Sequence, residues 1–215
     1  MLSEALESYL LQSSADESEL LAALRRETFQ KVLQPRMLSG PHQGRLLSVL
    51  SKLMQPKYIL EIGTFTGYAT LCLAEGLQSD GHLDTIDVNE ELQVLQHKYF
   101  QASNYAHQIH THIGAAADII PTLPYTYDLV FIDADKENYS LYADLVIPKV
   151  RPGGVILSDN VLWSGKVLDQ VKPNDRATMA LLDFNQKMKN DPRLDTVMLP
   201  IRDGLTLSRV KLTNP

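Results

Sequence analysis

From Tyr58 onward the chain alternates short, β-branched-rich runs with segments of helical length, and no other feature restricts its fold as much. The runs are YILEI (58–62), HLDTIDV (82–88), QIHTHI (108–113), YDLVFID (127–133) and VILSD (155–159), each bounded by Gly, Pro or Asp. Strands separated by helices predict an α/β protein with a doubly wound, mostly parallel sheet and helices on both faces. The tail breaks the rhythm. TVMLPI (196–201) and GLTLSRVKL (204–212) flank Arg202-Asp203-Gly204 at hairpin distance, which predicts an antiparallel C-terminal hairpin on the edge of a seven-stranded sheet. Ahead of the sheet lies a helical extension. Ser14 and Glu17 have capping-box spacing, Leu20, Leu21 and Leu24 share a helical face, and Pro35 follows; a second helical run, RLLSVLSKLM, closes before Pro56. The expected organisation is one domain over 1–215, with an N-terminal helical region at 1–55 and the core at 56–215.

Composition narrows the partners. A chain of 215 residues that is 44% hydrophobic can bury one sizeable core. The net charge is −6, and no Lys/Arg cluster resembles a phosphate-tracking stripe, so nucleic acid is not an expected partner. Cys72 is the single cysteine, which excludes an intrachain disulfide and a cysteine-based zinc site and suits a reducing compartment. The stretch MLSEALESYLLQ lacks the basic start of a signal peptide, and no apolar run reaches the ~18 residues that span a bilayer. The expectation is a cytoplasmic protein with no membrane partner. The histidines are scattered; His107, His110 and His112 have no carboxylate in metal-ligand order, so solvated or packed histidine is expected.

Chemistry-bearing residues collect where strands end. After the first strand, Gly63 and Gly67 bracket a turn that opens a helix near Tyr68, spaced E-x-G-x-x-x-G rather than as the G-x-G-x-x-G dinucleotide fingerprint. Such a turn either admits a polar ligand to the backbone and helix N-terminus or merely closes a tight joint. Asp87 ends the second strand, where a carboxylate accepts bonds from both hydroxyls of a ribose or caps the next helix. The third strand runs into IGAAAD, whose small residues leave room for a flat ring. Asp133 ends the fourth strand, and Asp159 and Asn160 end the fifth. These are hard oxygen donors suited to Mg²⁺, Ca²⁺ or Mn²⁺, or else loop-capping acids. Asp135 and Lys136 follow at once, Lys136 bringing an ammonium beside that set. Tyr139 and Tyr142 fall on the next helix, Tyr142 bordering the ligand or packing.

Taken together, EIGTFTG, Asp87, FIDADKENY, GGVILSDNVLWSG and LPIRDGLTLSRV resemble the cation-dependent class I O-methyltransferases of the caffeoyl-CoA O-methyltransferase type, relatives of catechol O-methyltransferase. The resemblance runs from about Met37 to Lys211. It implies a Rossmann-like fold, S-adenosylmethionine (SAM) as methyl donor, a divalent cation and a homodimer. It further implies that Met37, Ser39, Glu61, Gly63, Thr64, Ala69, Asp87, Ala116, Asp133, Asp135 and Tyr142 line the cofactor. Asp133, Asp159 and Asn160 match the metal triad, Asp133 and Lys136 the catalytic pair with Lys136 as proposed base, and Lys136, Trp163 and Ser164 the acceptor side. Two positions depart from the family: Ala69 stands where a serine is common, and His42-Gln43-Gly44 lacks the usual acid before the glycine.

The function expected is therefore methyl transfer to a hydroxyl of a small catechol-like or hydroxycinnamoyl acceptor. The alternatives are a nicotinamide-dependent oxidoreductase on a similar sheet and an inactive ligand-binding relative. Turn spacing counts against the first, and the intact triad with Lys136 against the second.

Overall fold

The computed structural model describes residues 3–172 and 174–212. Their packing separates into two compact units, one ending at Gly114 and one beginning at Ala115.

The first unit carries three helices ahead of its strands: α1 (Glu4–Gln12), α2 (Glu19–Lys31) and α3 (Gly40–Met54). The capping box predicted at Ser14 and Glu17 is not where α2 begins. Ser18 caps it instead, its hydroxyl accepting from the Leu21 N–H at 3.3 Å. Ser14 turns back to the Leu10 carbonyl at 2.6 Å, and Glu17 is taken by Arg25 and by the Tyr68 hydroxyl at 2.7 Å. A long-range partner for Glu17 has outweighed a local cap. Strand β1 (Tyr58–Ile62) leads into α4 (Tyr68–Ala74), then β2 (His82–Asp87), α5 (Gln93–Gln101) and β3 (Ile109–Ile113). The three strands pair in parallel, Ile62 beside Ile86 and Asp87 beside Ile113. Gly76 lets α4 end against α3, since a Cβ there would sit 2.2 Å from the Ser51 backbone.

The second unit holds α6 (Ala116–Ile119), β4 (Tyr127–Ile132), α7 (Tyr139–Val146), β5 (Val150–Asp159), α8 (Arg176–Asn190), β6 (Leu194–Leu199) and β7 (Leu205–Val210). Strands β4 and β5 run parallel, with Ile132 beside Ser158. The last two form the expected antiparallel hairpin, β7 pairing with β5 and with β6. Strand β5 starts five residues before the predicted VILSD, because Pro152 and Gly153-Gly154 are absorbed at a register shift opposite Tyr127–Leu129. All seven strands belong to one mixed sheet in the order β3-β2-β1-β4-β5-β7-β6, a Rossmann-like topology.

Candidate active site

In the first unit the glycine turn is built around two acids. Glu61, fully buried near the end of β1, accepts from the Thr85 hydroxyl at 2.6 Å and from Thr70. Thr64 and Thr85 share a hydrogen bond of 2.6 Å, so the threonines brace the carboxylate from β2, from α4 and, through Thr85, from the turn after β1. Gly63 (φ +101°) and Gly67 (φ +89°) hold backbone conformations that side chains resist, and a Cβ on Gly67 would meet the Phe100 ring at 2.4 Å. Asp87 does not cap the helix that follows it. Asn89 provides the cap for Glu91, whereas Asp87 accepts from the Asn89 N–H at 2.9 Å and reaches across to the Phe65 N–H at 2.7 Å. One bond goes to each carboxylate oxygen, leaving lone pairs on both for hydroxyl donors. Ser39 is buried ahead of α3 and Ala69 inside α4, while Met37 is 58% exposed.

The second unit gathers its polar groups at the tips of β4 and β5. Asp133 and Asp159 lie one step beyond and level with the paired Ile132 and Ser158, so the two acids are neighbours across adjacent parallel strands. Asp159 is buried and its Oδ1 accepts from the Asn160 N–H at 2.8 Å. Asn160 holds a left-handed backbone (φ +58°). Lys136, 8% exposed, directs its ammonium to Asp133 Oδ1 at 3.3 Å and to the Tyr139 hydroxyl at 2.5 Å. Tyr139 is fully buried, and burial together with Asp133 and Asp159 raises its ionisation well above the ordinary value, so it stays a neutral phenol. Asp135 accepts from the Tyr142 hydroxyl and the Asn138 amide, both at 2.5 Å; burial and that bond raise the Tyr142 ionisation as well. Ala116 is buried at the start of α6.

The donors fit a hard dication. Two carboxylates and one carboxamide belong to residues at one sheet end, and the ammonium of Lys136 beside Asp133 leaves a net negative charge there. Among the described residues no group of three or more His, Cys, Asp or Glu side chains could hold a metal ion, so a set built at these tips would have to draw on the Asn160 carboxamide.

Beyond Asn160 the chain makes further left-handed turns at Trp163 (φ +49°), Ser164 (φ +55°) and Gly165 (φ +83°). Each such non-glycine residue costs about 1–3 kcal/mol and persists only where neighbours impose it. Here the hairpin turn imposes it: Asp203 accepts from the Leu162 N–H through its carbonyl at 2.9 Å and from the Ser164 N–H through its carboxylate, and Gly204 accepts from Val161 at 3.2 Å. Sequence reasoning read RDG only as a turn. The Trp163 indole N–H is buried with no hydrogen-bond partner among the described residues, a donor left over on the expected acceptor side.

Two of the histidines have a partner that the spacing did not show. Asp84, buried on β2, stands between His82 and His112, at 3.0 and 2.7 Å from their Nε2 atoms, and His82 stacks on His110 at 3.9 Å. His82 shares the strand with Asp84, whereas His112, 28 residues on, comes beside it only through the parallel pairing of β2 and β3. Cys72 behaves as expected: fully buried, with burial pushing its thiol up to about 12.

Known proteins resemble this chain over nearly all of its length. A family model described as O-methyltransferase matches residues 11–211. Caffeoyl-CoA O-methyltransferase 5 of Nicotiana tabacum is 34% identical, covering 96% of this chain and 91% of the relative. Tricin synthase 2 of Oryza sativa subsp. japonica is 35% identical over 96% of this chain and 75% of its own. Among solved structures, the O-methyltransferase TomG from Streptomyces achromogenes in complex with SAM superposes with a TM-score of 0.89 at 28% identity, covering 98% of this chain and 100% of that one. The O-methyltransferase from Bacillus cereus in complex with SAH gives 0.89 at 28% identity, over 96% and 97%.

Proposed function

The chain belongs to the O-methyltransferase family and is a SAM-dependent O-methyltransferase; from that premise we propose that it methylates a hydroxyl of a small vicinal-dihydroxy aromatic or hydroxycinnamoyl thioester with the help of a divalent cation. The observation that carries the cation and the acceptor class is the pairing of Asp133 and Asp159, with Asn160 adjoining, beside the buried ammonium of Lys136. The name of the tobacco relative, a caffeoyl-CoA O-methyltransferase, supports the hydroxycinnamoyl thioester.

In this reading Asp87 receives the ribose hydroxyls of SAM, the Gly63–Gly67 turn and Thr64 accommodate its amino-acid part with Glu61, and Ala116 faces the adenine. Met37, Ser39, Ala69, Asp135 and Tyr142 complete the donor's surroundings. Asp133, Asp159 and Asn160 hold the dication, Mg²⁺ before Mn²⁺ or Ca²⁺. A dication held there supplies positive charge that favours loss of the acceptor's proton. Lys136 either takes that proton as a neutral amine, having first given one to solvent, or stays an ammonium that steadies the oxyanion while the proton passes to solvent; Trp163 and Ser164 border the acceptor ring. Overall, the acceptor O–H and the donor S–CH₃ bonds break and an O–CH₃ bond forms.

The proposal extends to a single methyltransferase domain over 1–215, to a homodimer and to the cytoplasm. The nearly full-length family match supports the first, the exposed Phe29 of α2 and Leu33 just beyond it the second, and the single, unpaired and buried Cys72 the third. Among the described residues no helix is long and apolar enough to cross a membrane. The test is transfer of labelled methyl from SAM across a panel of catechols and hydroxycinnamoyl thioesters, with Mg²⁺ and with chelator. Turnover that persists in chelator refutes the cation; turnover only on monohydroxy acceptors refutes the acceptor class.

A further inference from the structure

We propose that Tyr139 is a positioning residue for this site: its hydroxyl fastens the ends of β4 and β5 together and holds the Lys136 ammonium short of full ion pairing with Asp133. The inference rests on the function proposed above and deepens it.

A phenol has one proton and two lone pairs. The Tyr139 proton goes to the Asp159 carbonyl at 2.9 Å, with the Ile132 carbonyl at 3.3 Å on the other strand, and the oxygen accepts from Lys136 Nζ at 2.5 Å. One buried atom therefore touches the backbone behind both acids and the ammonium in front of them. The ring cannot drift, since Phe184 of α8 meets it edge-on at 5.1 Å and it has no exposed surface.

The consequence lies in the lysine's geometry. An ammonium on a four-carbon stem is a mobile point charge, and beside a lone carboxylate it closes to a tight pair. Here the nearest Asp133 oxygen stays at 3.3 Å while the Tyr139 oxygen is at 2.5 Å. Tyr139 thus draws the ammonium off Asp133 and leaves that carboxylate available to a cation. Two of the three N–H bonds of Lys136 are committed, so the third has a fixed direction, the condition for meeting an acceptor oxygen reproducibly.

The test is Tyr139→Phe, which keeps the ring and deletes the hydroxyl. Without it Lys136 closes on Asp133, so kcat falls by about 10- to 100-fold, the range seen when a group supporting a ligand is removed. The Mg²⁺ concentration for half-maximal rate rises severalfold, while the KM for SAM stays unchanged. The second readout needs no turnover: in ¹⁵N-labelled wild-type protein the Lys136 Nζ–H gives a slowly exchanging signal, identified by its loss in Lys136→Met, and its chemical shift moves in Tyr139→Phe as the phenol oxygen is replaced by the Asp133 carboxylate. If wild type shows no cation-dependent transfer, the functional proposal fails, and the Nζ–H signal still decides the positioning role. A Tyr139→Phe enzyme that keeps kcat within twofold and retains the signal at its wild-type shift overturns the inference. Should that variant not fold, absence of the slow signal in wild type overturns it equally.

Discussion

The two polar regions of the molecule satisfy their acids in opposite ways. In the glycine turn every acid is met by neutral donors of the chain itself: threonine hydroxyls on Glu61, backbone N–H groups on Asp87. At the tips of β4 and β5 the acids stand side by side, and the nearest cation to Asp133 is a lysine drawn partly away from it. Carboxylates stitched to amides and hydroxyls already have their charge met by the chain's own donors, whereas adjacent carboxylates repel and favour an added positive charge. On the proposed reading the first region is organised without its ligand and the second to receive a cation. The comparison separates donor binding from cation binding, and mutations should separate them too.

The largest effect belongs to the strand tips. Asp159→Ala, Asp133→Ala or Asn160→Ala should each lower Mg²⁺-dependent turnover more than about 100-fold, exceeding the loss expected for a merely supporting residue. Affinity for S-adenosylhomocysteine, measured calorimetrically without metal, should change little in Asn160→Ala. A parallel collapse of that affinity would merge the two regions and break the comparison. Next comes Asp87→Asn, which keeps the shape and removes the charge. Hydrogen bonds to charged groups are worth about 1.5–3 kcal/mol, so S-adenosylhomocysteine should bind roughly 10- to 100-fold more weakly, with the Mg²⁺ requirement unaltered.

How much of this was legible in the sequence differs between the same regions. The strand tips were readable because each donor immediately follows a short apolar run, and a strand's end is a local property. β1 matched its predicted limits for the same reason. What Asp87 touches was not readable: its partner Phe65 lies 22 residues away, and only parallel pairing brings β1 and β2 level. Glu17 shows the cost of local reading, since its capping-box spacing gave way to Arg25 and Tyr68. Tyr139 looked like an ordinary helix residue because its role depends on two strand ends meeting under one hydroxyl. The part played by Asp203 and Gly204 was hidden likewise, the spacing from Ser164 to Asp203 being 39 residues.

Smaller effects sharpen the contrast through stability. Glu75, at the end of α4, would be raised by burial, yet hydrogen bonds from Arg45, Lys52 and Ser48 outweigh that and bring it down to about 2. A carboxyl depressed on folding stabilises the fold above its unfolded pKa, and that contribution is lost as pH falls from about 4.5 to about 2. Glu75→Gln should therefore lower the urea midpoint at pH 7 and flatten the acid side of the stability profile. An unchanged profile would show that the first unit owes nothing to that network. The smallest change expected is Ala69→Ser, which restores the hydroxyl common in the family. A neutral hydrogen bond is worth about 1 kcal/mol, so donor affinity should rise about fivefold if position 69 faces the donor, and stay constant if it does not.

The central claim is that Asp133, Asp159 and Asn160 together grip one hard dication. Anomalous scattering at the manganese edge, from crystals grown with Mn²⁺ and S-adenosylhomocysteine, tests it most directly. The account predicts one strong peak within coordination distance of oxygens from all three side chains. A map with that peak elsewhere, or with no peak while Lys136 closes on Asp133, would contradict it.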